Sequence, residues 1–206
     1  MPTSHSYLRS TLITGITCEK CHGPGREHIQ RHTAGATPPD SGDDGILNSA
    51  HFTRDQKVGL CALCHNGPLE PTSPAFSYLP GMTLERFFKP PRNAPETMPE
   101  VHGDQVGLLK RSLCYQKTGT LTCNTCHDEH AKELPAASYD SRCLTCHAAK
   151  TCPVTRSRSR SDASGCVGCH MPVLKTNAIV SQTSGQTIKA QLRSHWIRVY
   201  SASEIR

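Results

Sequence analysis

The spacing Cys-x-x-Cys-His occurs five times in this 206-residue chain and constrains it more tightly than any other feature. The copies are CEKCH (Cys18, Cys21, His22), CALCH (Cys61, Cys64, His65), CNTCH (Cys123, Cys126, His127), CLTCH (Cys143, Cys146, His147) and CVGCH (Cys166, Cys169, His170). Two thiols three positions apart reach the two vinyl groups of one porphyrin and form thioethers. The adjoining His then lies under the iron as its proximal axial ligand. Cys-x-x-Cys is also zinc-ligand spacing, but zinc does not require a His directly after the second Cys, and all five copies have one. A thioredoxin-like dithiol needs one pair in a strand–helix setting rather than five without it. The expected cofactor is haem c, five groups covalently attached.

Composition agrees with a chain whose core is not made of side chains alone. Apolar residues are 35% and aromatics 5%, with 15 Gly and 15 Pro, which is a poor core for a polypeptide by itself. Large apolar porphyrin plates replace what is missing. The expected fold is mainly α with extensive loop, haem-packed, with little or no sheet beyond at most a C-terminal hairpin. One multihaem domain over 1–206 is expected, with haems 1–2 in 15–66, a Pro-rich wrap in 67–103 and haems 3–5 in 104–200. The net charge of +6 is scattered, without aromatic interleaving or a recognition motif, so nucleic acid is not an expected partner. Ten haem propionates would bring the holoprotein to about −4, which makes the basic excess counter-charge.

Covalent haem attachment implies a periplasmic or extracellular location. The first 16 residues lack a basic start and an apolar core, so an export signal is expected to belong to a missing N-terminus. No stretch approaches a membrane helix, and membrane contact is expected only through partners.

Along the chain, Gly23-Pro24-Gly25 ends any helix after the first motif, and a short helix from near Arg26 puts His28 and His32 one turn apart. Residues 33–50 read as loop. Thr53 with Gln56 forms a capping box for a helix running into Cys61. Residues 66–99 are Pro-rich, apart from the LERFF patch at 84–88, and read as an extended wrap over haem faces. Asp104 caps a predicted helix over 105–115, with Val106, Leu109 and Leu113 on one face. The basic run 155–165 reads as a solvated loop, with a docking patch for an acidic partner as the alternative. A hairpin is predicted from 178–181 and 187–190 across a Ser-Gly turn, and HWIRVY (195–200) ends the ordered part. Uneven motif spacing excludes a fixed-period solenoid.

The blocks ITCEKCHGPGREH, VGLCALCH, FSYLPGM, VHGDQ, LLKRSLCYQKTGTLTCNTCHDEH and GCVGCHMP followed by SHWI span most of 15–200. On these the chain resembles bacterial multihaem cytochromes related to the tetrahaem cytochrome that accepts electrons from hydroxylamine oxidoreductase. The resemblance implies electron transfer, mostly bis-His haems and a haem-stacked fold. Family members are longer exported proteins, often with further motifs upstream.

Five irons need five distal ligands, and of 12 His seven are not proximal: His5, His28, His32, His51, His102, His130 and His195. Supply exceeds demand, which favours low-spin bis-His haems. His28 and His130 match family ligand positions by resemblance, with His32 a substitute for His28. Each distal His is expected to reach a neighbouring haem rather than the iron of its own motif. Met82 and Met98 are alternative axial ligands, while Met171, directly after a proximal His, reads as packing. The two remaining cysteines, Cys114 and Cys152, are expected to pair in a disulfide.

Three functions compete. An electron carrier needs only exposed haem edges. A reductase or oxidase of small nitrogen or sulfur oxyanions needs an open iron with groups such as Lys20, Lys132 or Arg26 over it. The C-x-x-C-K motif of the related nitrite reductases is absent. A module of a larger conduit needs mainly docking surfaces. Surplus His favours the carrier, with other cytochromes or a membrane quinol-linked oxidoreductase as redox partners and no substrate chemistry of its own; an oligomer is compatible with it.

Overall fold

The computed structural model describes residues 8, 10, 13, 15–35, 37, 44–89, 104–132, 134–148, 152, 165–183, 185–201 and 203–204. The chain divides into two compact units, Met1–His51 and Phe52–Arg206, so the first motif lies in one and the other four in the second. It is mainly helical with extensive loop and two small sheets. Among the described residues no helix is long and apolar enough to cross a membrane.

In the first unit, α1 (Glu19–His22) stops at Gly23, whose φ of 71° lies in the left-handed region that favours glycine. α2 (Arg26–Thr33) follows, as expected, with His28 and His32 on it. The described part of 33–50 is loop until a 3-10 turn at Ser49–His51.

The second unit begins with α3 (Arg54–His65), capped as the sequence implies. Thr53 Oγ1 accepts from Gln56 N at 3.3 Å, and Gln56 Oε1 accepts from Thr53 N at 2.8 Å. The helix runs through the second motif and ends with it at His65, so the motif sits at a helix end as expected. Val58 and Ala62, four apart, bury one face against Leu84, Val106, Leu109 and Tyr115. Arg54 locks this core from above, stacking 3.6 Å over the Tyr115 ring and donating to the carbonyls of Tyr115 and Leu121.

The Pro-rich segment is more structured than an extended wrap, at least over 66–89. β1 (Glu70–Pro71) pairs antiparallel with β2 (Phe88–Lys89), and a 3-10 turn at Leu84–Arg86 sends Leu84 into the core. This ladder is a second sheet beyond the expected hairpin, short because prolines supply no N–H to extend it. Residues 90–99 lie outside the described residues.

The single helix predicted over 105–115 is two helices, α4 (Gln105–Arg111) and α5 (Leu113–Lys117). Asp104 caps the first through Gly107 N at 2.8 Å. The break falls at Ser112, extended at ψ 132° and 0% exposed. Its hydroxyl donates to the His195 carbonyl at 3.0 Å and accepts from Ile197 N at 2.7 Å. The C-terminal tail thus interrupts the helix, and Leu113, expected on the buried face, is 68% exposed.

The third motif lies on a 3-10 turn (Cys123–Thr125). The fourth follows a 3-10 turn (Ala136–Tyr139) into α6 (Asp140–Leu144), and the fifth fills α7 (Gly165–His170). Asp140 Oδ1 accepts from Val167 N at 2.8 Å, tying α6 to α7. The hairpin is longer than predicted: β3 (Val173–Thr183) pairs with β4 (Gln186–Arg193), keeping the pairs Val180↔Lys189 and Ser181↔Ile188 around the Gly185 turn. Most of the basic run 155–165 lies outside the described residues. Order continues past HWIRVY through the Arg198–Glu204 ion pair.

Candidate cofactor sites

Each of the five motifs forms one tight turn. In the first, third and fourth, the His N–H donates to the carbonyl of the leading Cys at 2.9 Å: His22 to Cys18, His127 to Cys123, His147 to Cys143. The second and fifth lie within α3 and α7. One α-helical turn sets residues i, i+3 and i+4 side by side, so both thiols and the imidazole share a face in the motifs carried by α1, α3 and α7.

Two motif histidines have the same setting, in different units. His22 Nδ1 lies 2.8 Å from the Leu47 carbonyl, and Leu47 N returns a bond to the His22 carbonyl at 3.0 Å. His170 Nδ1 lies 2.9 Å from the Arg198 carbonyl, and Arg198 N returns a bond to the His170 carbonyl at 3.3 Å. A carbonyl only accepts, so each neutral ring carries its proton on Nδ1 and its lone pair on Nε2. Fixing tautomer and orientation in this way is what outer partners do for a metal-bound imidazole.

In the second unit the four motifs adjoin one another in sequence order. The thiols of Cys61 and Cys123 share a hydrogen bond, which draws Cys123 below its ordinary value despite burial. Cys126 is raised, chiefly by burial, and lies in the field of Cys146 and of Cys114. Cys143 is pushed up to about 11, by burial first and then by Cys166 and Cys126, and it shares a hydrogen bond with Cys166.

Among the candidate distal histidines that are described, His195 is brought against a motif. Its ring stacks on that of His127 with centroids 6.1 Å apart at 27°. His195 Nδ1 lies 3.3 Å from the Arg193 carbonyl. Burial pushes its imidazole below the ordinary value, and His127 and His65 add to that. His28 and His32 are instead gathered on Asp44, at 2.9 Å each. His130, exposed, donates its backbone N–H to Asp128 Oδ1 at 3.0 Å, and His51 ends the 3-10 turn Ser49–His51. His5, His102 and Met98 lie outside the described residues. Met82 is 38% exposed, and Met171 continues the α7 turn through Val167, in keeping with packing. Lys20 lies within α1, Arg26 starts α2, and Lys132 is exposed beyond His130. No disulfide joins any of the twelve cysteines, so the expected Cys114–Cys152 pair is not formed. Cys114 sits near Cys126 and Cys143, and Cys152 near Cys166.

The residues fit haem c. Among the described residues, the cluster of buried apolar side chains is Val58, Ala62, Leu84, Val106, Leu109 and Tyr115, with Leu69, Tyr78, Phe88, Leu121 and Ile197 packed against it half-buried. Large apolar side chains in or next to the motifs stay in solvent: Ile16 at 78%, Leu63 at 37% and Leu144 at 49% exposed. Such surfaces have room for apolar plates. Among the described residues, His28, His32 and Asp44 are the group of three His, Cys, Asp or Glu side chains with ligand atoms mutually within 4.8 Å, and no cysteine belongs to it. Asp44 carries no sequence signal, because only folding sets it against α2. The carbonyls of Leu47 and Arg198 are main-chain groups and carry none either. No family model matches the chain, and neither a search of curated proteins nor one of solved structures finds a match.

Proposed function

We propose that this chain is a multihaem c-type cytochrome that carries electrons between redox partners in the cell envelope, akin to the tetrahaem acceptor of hydroxylamine oxidoreductase. The observation that carries the reading is the common setting of His22 and His170. Each has Nδ1 on a main-chain carbonyl whose own residue bonds back, leaving the lone pair on the nitrogen an iron takes. Haem c, when bound, supplies a one-electron couple at each motif. The chain's part is to attach five groups through ten thiols, orient the imidazoles beneath them and shield them with apolar side chains its own core does not use.

The contiguity of motifs two to five, through Cys61 with Cys123, Cys126 with Cys146 and Cys143 with Cys166, suits a relay better than one isolated reaction centre. Its partners are other cytochromes or a membrane quinol-linked oxidoreductase, in the periplasm or outside the cell, and the membrane is met only through them.

Export-directed expression in a haem-attaching host, followed by pyridine haemochrome quantification and low-temperature EPR of the oxidised protein, tests this. Five thioether-linked haems per chain, all low-spin, are expected. Absence of covalent haem would overturn the cytochrome reading. A stoichiometric high-spin ferric signal would replace the carrier with the oxyanion reductase.

A further inference from the structure

We infer that His28, His32 and Asp44 form a binding site for a first-row divalent cation such as Zn²⁺, apart from the five cysteine–histidine motifs. α2 places the two histidines one turn apart, with ring centroids 4.5 Å from each other. Both address one carboxylate oxygen: Asp44 Oδ2 lies 2.9 Å from His28 Nδ1 and 2.9 Å from His32 Nε2. A tetrahedral zinc centre with bonds of about 2.0 Å has ligand-to-ligand edges of about 3.3 Å. The two edges at Oδ2 therefore need to lengthen by only a few tenths of an ångström to admit the ion, and all three ligand atoms lie within 4.8 Å of one another.

The loop that supplies Asp44 is pressed onto the helix at the next residue. Gly45, at φ 69°, is so close to α2 that a Cβ would lie 3.0 Å from Glu27 Cβ and 3.1 Å from His28 N. Arg31 Nη1 reaches Asp44 Oδ1 at 3.5 Å, the kind of outer donor that orients a ligating carboxylate.

Without an ion, the neutral rings donate two N–H groups to Asp44. With the opposite tautomers they direct two lone pairs and a carboxylate oxygen to one point, a form that a cation stabilises. An N,N,O donor set suits Zn²⁺, Co²⁺, Ni²⁺ or Cu²⁺ rather than Ca²⁺ or Mg²⁺, which take oxygen ligands. The histidine count agrees, a point that rests on the haem reading. Setting aside His28 and His32 leaves His5, His51, His102, His130 and His195, as many as there are motifs.

The test is equilibrium dialysis of the holoprotein against Zn²⁺, with any free thiols first blocked by iodoacetamide, and haem content and EPR measured on the same samples. Blocking removes cysteine as a zinc ligand even if haem is absent, so failure of the cytochrome reading and failure of this one are separable. One saturable Zn²⁺ per chain is expected. Its affinity should fall by about 100-fold or more in both His32→Ala and Asp44→Asn, since loss of outer partners alone costs about 10–100-fold. The low-spin signals of both variants should match the parent. His32 is exposed on α2 and Ala is the better helix former, so circular dichroism of His32→Ala should be unchanged. Asp44→Asn preserves the shape of the loop. Absence of saturable binding, binding undiminished in both variants, or a new high-spin haem in His32→Ala would overturn the inference.

Discussion

Ser112 and His195 show how single side chains in this protein hold both fold and site. The Ser112 hydroxyl occupies the break between α4 and α5 and bonds both the His195 carbonyl and Ile197 N. Ser112→Ala leaves two buried backbone groups short of a partner and should cost about 1–3 kcal/mol in urea unfolding. His195, stacked on His127, has a different signature. His195→Ala should turn one haem of the low-spin set high-spin in EPR of the holoprotein, and an unchanged spectrum would remove His195 from the ligand set. Glu204 supplies the pH dependence at this scale. Its bond with Arg198 holds its carboxyl at about 2, below the ordinary 4.5. A group depressed in the folded state stabilises above its unfolded value and loses that effect as pH falls through the folded one. The urea midpoint of Glu204→Gln should therefore lie below the parent's at pH 6. The gap should narrow from about pH 4.5 and close near pH 2.

At the level of elements, the motifs are local. The same His-to-Cys bond of 2.9 Å forms in α1, beside α6 and on an isolated 3-10 turn, so its geometry depends on neighbours within the pentapeptide. α3 extends this locality, because its capping box sets the start of the helix that carries the second motif. Thr53→Ala should cost about 1 kcal/mol in thermal or urea unfolding. The predicted helix over 105–115 shows the limit of such reasoning. Val106 and Leu109 are buried as their spacing implies, yet the pattern continues to Leu113 without a mark at Ser112. The break comes from a tail more than eighty residues away, and no window of local sequence contains it.

For the molecule as a whole, the side-chain core among the described residues is thin and apolar groups near the motifs remain in solvent. A chain that buries little apolar surface is marginal unless another component is added. Protein made without haem attachment should therefore bind a hydrophobic dye and unfold at much lower urea than the holoprotein. An equally stable, dye-silent apoprotein would contradict the haem-packed reading.

The five Cys-x-x-Cys-His pentapeptides, the α3 capping box and the hairpin around Gly185 were determined by the sequence itself, because each rests on contacts within a few residues or across one turn. The adjacency of motifs two to five, the main-chain carbonyls that orient His22 and His170, the burial of Ser112 and the capture of Asp44 by α2 were decided only by tertiary structure. Those contacts join positions from 12 to 85 residues apart, and residue spacing along a chain does not encode which loop returns to which helix.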